Sequence, residues 1–123
     1  MQCVIETIGY LKSAEIAKMS VEERIAAVDF LANNPQAGTI IVGSGGCRKV
    51  RLAGKGKGKS GGYRLITFYY DEDFPVVLWL AYAKNQEQNL SKGEVEYLYD
   101  VTKKIKEEII DGRRTLQTAK AKR

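Results

Sequence analysis

One stretch limits the folds open to this chain: Gly45-Gly-Cys-Arg-Lys-Val-Arg-Leu-Ala-Gly-Lys-Gly-Lys-Gly-Lys-Ser-Gly-Gly-Tyr-Arg64. Its glycines are too dense for a helix, because each costs backbone entropy there. β-type sequence flanks the glycines on both sides, Cys47–Ala53 before and Leu65–Tyr70 after. The stretch therefore reads as a loop between two strands. Arg48, Lys49, Arg51, Lys55, Lys57, Lys59 and Arg64 all fall within it, and it contains no acid. Lysine alternates with glycine at Lys55, Lys57 and Lys59, so cations stand on a backbone that a ligand can approach closely. Lysines supply mobile phosphate donors and arginines forked ones. The composition points to a site for a polyanion, against the plainer alternative of a solvated hairpin loop.

At 123 residues the chain is long enough for one domain with a real core. No apolar run approaches the roughly 20 residues a membrane helix needs. The start, Met1-Gln-Cys-Val-Ile, lacks the pattern of a signal peptide, so a cytoplasmic protein with no membrane partner is expected. The net charge of +5 is concentrated in the glycine-rich stretch and the C-terminal segment, as expected of a chain that meets nucleic acid. There is no histidine, which removes the commonest general base and zinc ligand. Cys3 and Cys47 have no metal-ligand spacing and read as buried free thiols in strands. No cofactor and no metal are expected.

In chain order, Gln2–Thr7 reads as a short strand and Ile8–Lys18 as a weakly amphipathic helix. Ser20-Val-Glu-Glu23 is a capping box that opens a second helix, with Val21, Ile25, Val28 and Ala32 on one face, Leu31 beside them, and a stop near Pro35. Residues 36–46 are a connector, and its Thr-Ile-Ile-Val leaves open whether a short extra strand forms. In Cys47–Ala53, Val50 and Leu52 fall on one face and Lys49 and Arg51 on the other. Tyr63–Tyr70 is a strong strand, Asp71–Pro75 a turn, and Val76–Ala83 an apolar and hence central strand. Three strands with short links imply an antiparallel meander. Ser91-Lys-Gly-Glu94 caps a last helix with the stripe Val95, Leu98, Val101, Ile105 and Ile109, expected to end at Gly112. The expected order is β-α-α-β-β-β-α in an α+β domain over residues 1–112. Its helices would cover one sheet face and leave the other open. Residues 113–123 would form a basic flexible tail, which either touches nucleic acid or merely solubilises the chain.

Ala53-Gly-Lys-Gly-Lys-Gly-Lys-Ser60 matches a relaxed nucleotide-binding P-loop. That motif works by presenting a helix N-terminus to phosphate, whereas a strand follows here, which argues against an NTPase. Arg64 opens a strand, where the sheet holds its position. A turn at Asp71–Pro75 would bring Lys84, at the far end of the next strand, beside it. Tyr63 either stacks on a base or packs in the core, and Tyr82 either assists Lys84 and Arg64 or packs in the core.

The run Gly45–Arg64, followed by an apolar strand and Tyr82-Ala-Lys-Asn85, resembles the RelE/HigB toxins of bacterial toxin–antitoxin systems, in particular the HigB-like branch. The resemblance implies a RelE-like fold, a small mostly antiparallel sheet with an N-terminal helical pair and a C-terminal helix. It implies an endoribonuclease that cuts mRNA in the A site of the 70S ribosome, against 16S rRNA, and a cognate antitoxin that neutralises it. Carried over, catalytic roles fall on Lys57, Arg64 and Lys84. Binding of RNA and ribosome falls on Arg48, Lys49, Arg51, Lys55, Lys59 and Tyr82. The family often places a tyrosine soon after the last-strand cation. Residues 86–90 have none, so Tyr97 or Tyr99 would serve only if the last helix reaches the site. The RNA 2′-hydroxyl supplies its own nucleophile, Arg64 would stabilise the phosphorane, and Lys57 and Lys84 are both candidates for the base. Two rivals remain: a ParE-like gyrase poison of the same fold family, and a noncatalytic RNA-binding module using the same face.

Overall fold

The computed structural model describes residues 1–53, 62–84 and 90–121, with side chains as far as residue 114 in the last helix. The elements are β1 (Val4–Glu6), α1 (Ile8–Ile16), α2 (Val21–Asn33), β2 (Thr39–Ile40), β3 (Cys47–Leu52), β4 (Tyr63–Phe68), β5 (Val76–Ala83) and α3 (Lys92–Ala121). One sheet has the order β1-β5-β4-β3-β2. The β3–β4–β5 meander is antiparallel as expected, while β1 runs parallel to β5, so the α+β sheet is mixed. The undecided connector contributes β2, which pairs Thr39 with Lys49 and Ile40 with Arg48 at the sheet edge.

Both capping boxes form. Ser20 Oγ accepts from the Glu23 amide at 3.1 Å, and Glu23 accepts from the Ser20 amide at 2.8 Å. Ser91 and Glu94 repeat the exchange at the start of α3. Between α1 and α2 the chain reverses through Lys18, which sits at φ 61°. The stripe expected to bury α2 does so only in part: Val21 and Ile25 are 65% and 64% exposed, while Ala32 and its neighbour Leu31 are buried together with Glu23 and Ala27. The sheet face under the hairpin already presents Val50, Leu65 and Leu78. Small side chains, Ala14, Ala17 and Ala27, bring the helices close to that bulk.

The opposite sheet face is only partly open, which corrects the expectation of helices on one face alone. There α3 packs Leu98 and Ile105 against Cys47, Ile66, Phe68, Val77 and Tyr82. Cys47 is buried as expected, its Sγ 3.2 Å from Thr102 Oγ1, and burial pushes its thiol pKa up. Cys3 is exposed and precedes β1, contrary to expectation, because the strand at this sheet edge starts only at Val4. The last helix also runs through Gly112 to Ala121. Gly112 does not take the left-handed backbone that a glycine cap requires. Its neighbour Arg113, expected to begin a free tail, is clasped to the β4–β5 turn. Its Nη1 lies 2.8 Å from Asp71 Oδ2, its Nη2 donates to Asp71 Oδ1 at 3.1 Å, and its guanidinium sits 5.6 Å from the Tyr70 ring centroid. No helix among the described residues is long and apolar enough to cross a membrane.

Two tests follow from these anchors. Ser20→Ala should lower the unfolding free energy by about 1 kcal/mol in urea titration, the usual cost of an N-cap. The hydrogen bond from Arg113, and after it the Asp73 backbone amide and the Arg113 charge, hold the Asp71 carboxyl below its usual range. A depressed native pKa adds stability above the unfolded value and loses it as pH falls through the native one. Asp71→Asn should therefore be less stable than the native chain at neutral pH, with the gap closing in acid. A gap that is constant with pH would show that the charge of Asp71 adds nothing to stability.

Candidate nucleic-acid interface

Alternation along β3 sends Cys47, Lys49 and Arg51 to the face that α3 partly covers. The same rule on β4 sends Arg64, Ile66 and Phe68 there. The ladder sets Arg51 directly opposite Arg64. Side chains so paired stand with their Cβ atoms about 5 Å apart, and like charges in that position repel. Among the described residues no acid pairs with either arginine; the ion pairs present, Arg24–Glu6 and Arg113–Asp71, involve other residues. An anion between the two guanidinium groups would relieve the repulsion.

Lys84 reaches the same place through β5. Its backbone amide donates to the Gly62 carbonyl at 3.0 Å, and Tyr82 pairs with Arg64. A cleft of about 380 Å³ is lined by Arg51, Arg64 and Lys84 together with Leu52, Ala53, Gly62 and Tyr63. The proximity of Lys84 to Arg64 anticipated from the turn is thus present. The face was not anticipated. Ile66 pairs with Leu80 but Thr67 with Leu78, so Trp79 is an extra residue in β5. Trp79 and Leu80 consequently both belong to the α3-side cluster, and the alternation beyond them is inverted. That inversion turns Tyr82, and by alternation Lys84, toward the arginines.

The other sequence-selected residues fare differently. Lys49 lies two residues from Arg51 on the same face and lines a larger groove of about 520 Å³ with Gly38, Thr39, Ile40, Ile41, Arg51 and Arg64. Arg48 is not part of this cluster: it stands on the opposite face, where its Nη1 donates to the Gly38 carbonyl at 3.3 Å. Tyr82 is 8% exposed and packs with the α3-side core. Tyr63 is 2% exposed on the hairpin side and donates to Glu23 Oε1 at 3.2 Å. Tyr99 lies beside Gly45, at the end of β3 remote from Arg51, and Tyr97 is exposed on α3. Lys55, Lys57 and Lys59 lie outside the described residues. Sequence reasoning missed the wall made by residues 38–41, whose only signal was three consecutive apolar residues in a connector.

The opposed arginines carry a direct test. Arg51→Gln should stabilise the protein in low-salt urea titration by a few tenths of a kcal/mol, and salt should erase the gain. Equal stability at every salt concentration would mean that the two charges do not interact.

A family description, RelE toxin of RelE / RelB toxin-antitoxin system, matches residues 8–121. The match runs from the first residue of α1 to the last of α3 and so takes in both helical layers and the strands that carry Arg51, Arg64 and Lys84. This chain belongs to the RelE toxin family, the toxin half of a toxin–antitoxin pair whose partner is a cognate antitoxin.

Proposed function

We propose that the protein is an mRNA endoribonuclease that acts on the translating 70S ribosome, in the cytoplasm, by 2′-hydroxyl attack on the adjacent phosphate. The observation that carries the reading is the Arg51–Arg64 pair, two cations held opposite one another with no paired acid among the described residues, and with Lys84 on the same cleft. A phosphodiester seated between the guanidinium groups receives forked hydrogen bonds and meets charge where the phosphorane develops it.

In the reaction the 2′-oxygen bonds to phosphorus while its proton passes to a base. The 5′-oxygen then leaves with a proton, and the products are a 2′,3′-cyclic phosphate and a 5′-hydroxyl end. Arg64, on the central strand, bears the catalytic charge, with Arg51 across from it. Lys84 handles one of the two protons, and Lys57 is the family's candidate for the other. Lys49, Lys55 and Lys59 supply further phosphate contacts, and mRNA on 16S rRNA supplies the substrate in a form that orients the 2′-hydroxyl. The Gly45–Arg64 run is the feature that favours a HigB-like member of the family.

Primer extension on a defined mRNA, with and without ribosomes, tests the proposal. Cleavage should require ribosomes, and Arg64→Ala should slow it about 10²-fold or more. Cuts without ribosomes would overturn the ribosome requirement. No cuts under any condition would overturn the nuclease, leaving gyrase inhibition and simple RNA binding as the assays to run next.

A further inference from the structure

The groove beside Lys49 is separate in construction from the Arg51–Arg64–Lys84 cleft, although the two share the arginines. Its outer wall is β2, a strand of two residues at the sheet edge that the fold takes care to hold. Gly38, just before it, adopts φ 93°, and a Cβ there would come within 2.4 Å of the Lys49 carbonyl oxygen. Only glycine fits so close to β3. Arg48 donates to the Gly38 carbonyl from the other face. At the far end, Ser44 Oγ donates to the Ile41 carbonyl at 2.6 Å and accepts from the Cys47 amide at 3.0 Å, while the Ile41 amide donates to the Cys47 carbonyl. Thus a two-residue strand is pinned at both ends.

The pinned wall brings specific groups to the groove. Thr39 pairs with Lys49, so the exposed hydroxyl and the ammonium share one face, and half-buried Ile41 continues it as an apolar surface. Lys49 and Arg51 are two residues apart on β3, or about 6.7 Å along the strand. That interval is comparable to the separation of successive phosphates in a single strand. The groove's volume of about 520 Å³ is within the usual range of small-ligand sites.

Resting on the proposed RNA-cutting face, we propose that this groove is a nucleotide subsite for single-stranded RNA. Lys49 holds the phosphate next along from the one between Arg51 and Arg64. Thr39 and Ile41 receive the nucleotide that joins the two phosphates, its ribose against the hydroxyl and its base against the isoleucine. Arg48 is then a positioning residue, acting through Gly38 on the wall.

The probe is a 2′-O-methyl RNA trinucleotide, which cannot be cleaved, titrated into the ¹⁵N-labelled full chain. The amides of Thr39, Ile40, Ile41 and Lys49 should shift together with those of Arg51 and Arg64. The negative charge introduced by Thr39→Glu should abolish the β2 shifts, keep those at Arg64, and weaken binding at least fivefold. Lys49→Ala should lower the slope of log affinity against log salt by about 1, as for one lost phosphate contact. Shifts confined to Arg51, Arg64 and Lys84 would overturn the subsite while leaving the nuclease reading intact. Shifts at β2 from a protein that cuts nothing on ribosomes would uphold the subsite and sink the nuclease. No shift anywhere at millimolar trinucleotide would overturn the subsite whatever the cleavage assay shows.

Discussion

The structure depends on β4 being paired along both edges. From Tyr63 to Phe68 it meets β3 on one side and β5 on the other, and every residue of the strand is buried except half-buried Arg64. Two hydrogen-bonded neighbours and two packed faces leave the strand no freedom to slip, since a shift by one residue would exchange its core faces. Arg64 inherits that rigidity. A cation on a floppy loop would need ordering before it could stabilise a developing charge, whereas one on a locked strand is already placed.

The two sheet faces divide the labour. The hairpin of α1 and α2 closes one of them with alanines and Tyr10, forming the larger core. On the other, α3 covers the half that carries Cys47, Ile66 and Phe68, and Lys106 reinforces the cover by donating to the Gly45 carbonyl at 2.6 Å and lying 5.7 Å from the Phe68 ring centroid. The uncovered half holds Lys49, Arg51 and Arg64. Among the described residues no acid is paired with Arg51 or Arg64, and their mutual repulsion is a cost the rest of the fold must offset.

Much of the fold was legible before any coordinates. The glycine-rich stretch separated β3 from β4, the two Ser-x-x-Glu boxes marked the starts of α2 and α3, and period-two alternation put Lys49 and Arg51 opposite Val50. The apolar stripe of α2 is a true periodicity, but the buried face is rotated from it, so that Ala27, Leu31 and Ala32 meet the core while Val21 and Ile25 stay exposed. Gly112 is an expected helix end, but it lacks the left-handed backbone of a glycine cap, so α3 continues through it to Ala121, with Arg113 clasped to Asp71. Arg48, selected with the other cations, stands by alternation on the face opposite Lys49 and Arg51 and donates to the Gly38 carbonyl.

The sequence by itself determined which residues could form strands and helices and where the positive charge would gather, because propensity, capping and charge are local. Tertiary structure alone decided which cations share a site. Lys84 lies twenty residues from Arg64 in the chain, and whether it faces that arginine depends on the one-residue bulge at Trp79 that inverts the phase of β5. A bulge arises from the fit of one strand against its neighbour across a packed core, and no local rule of composition records that fit.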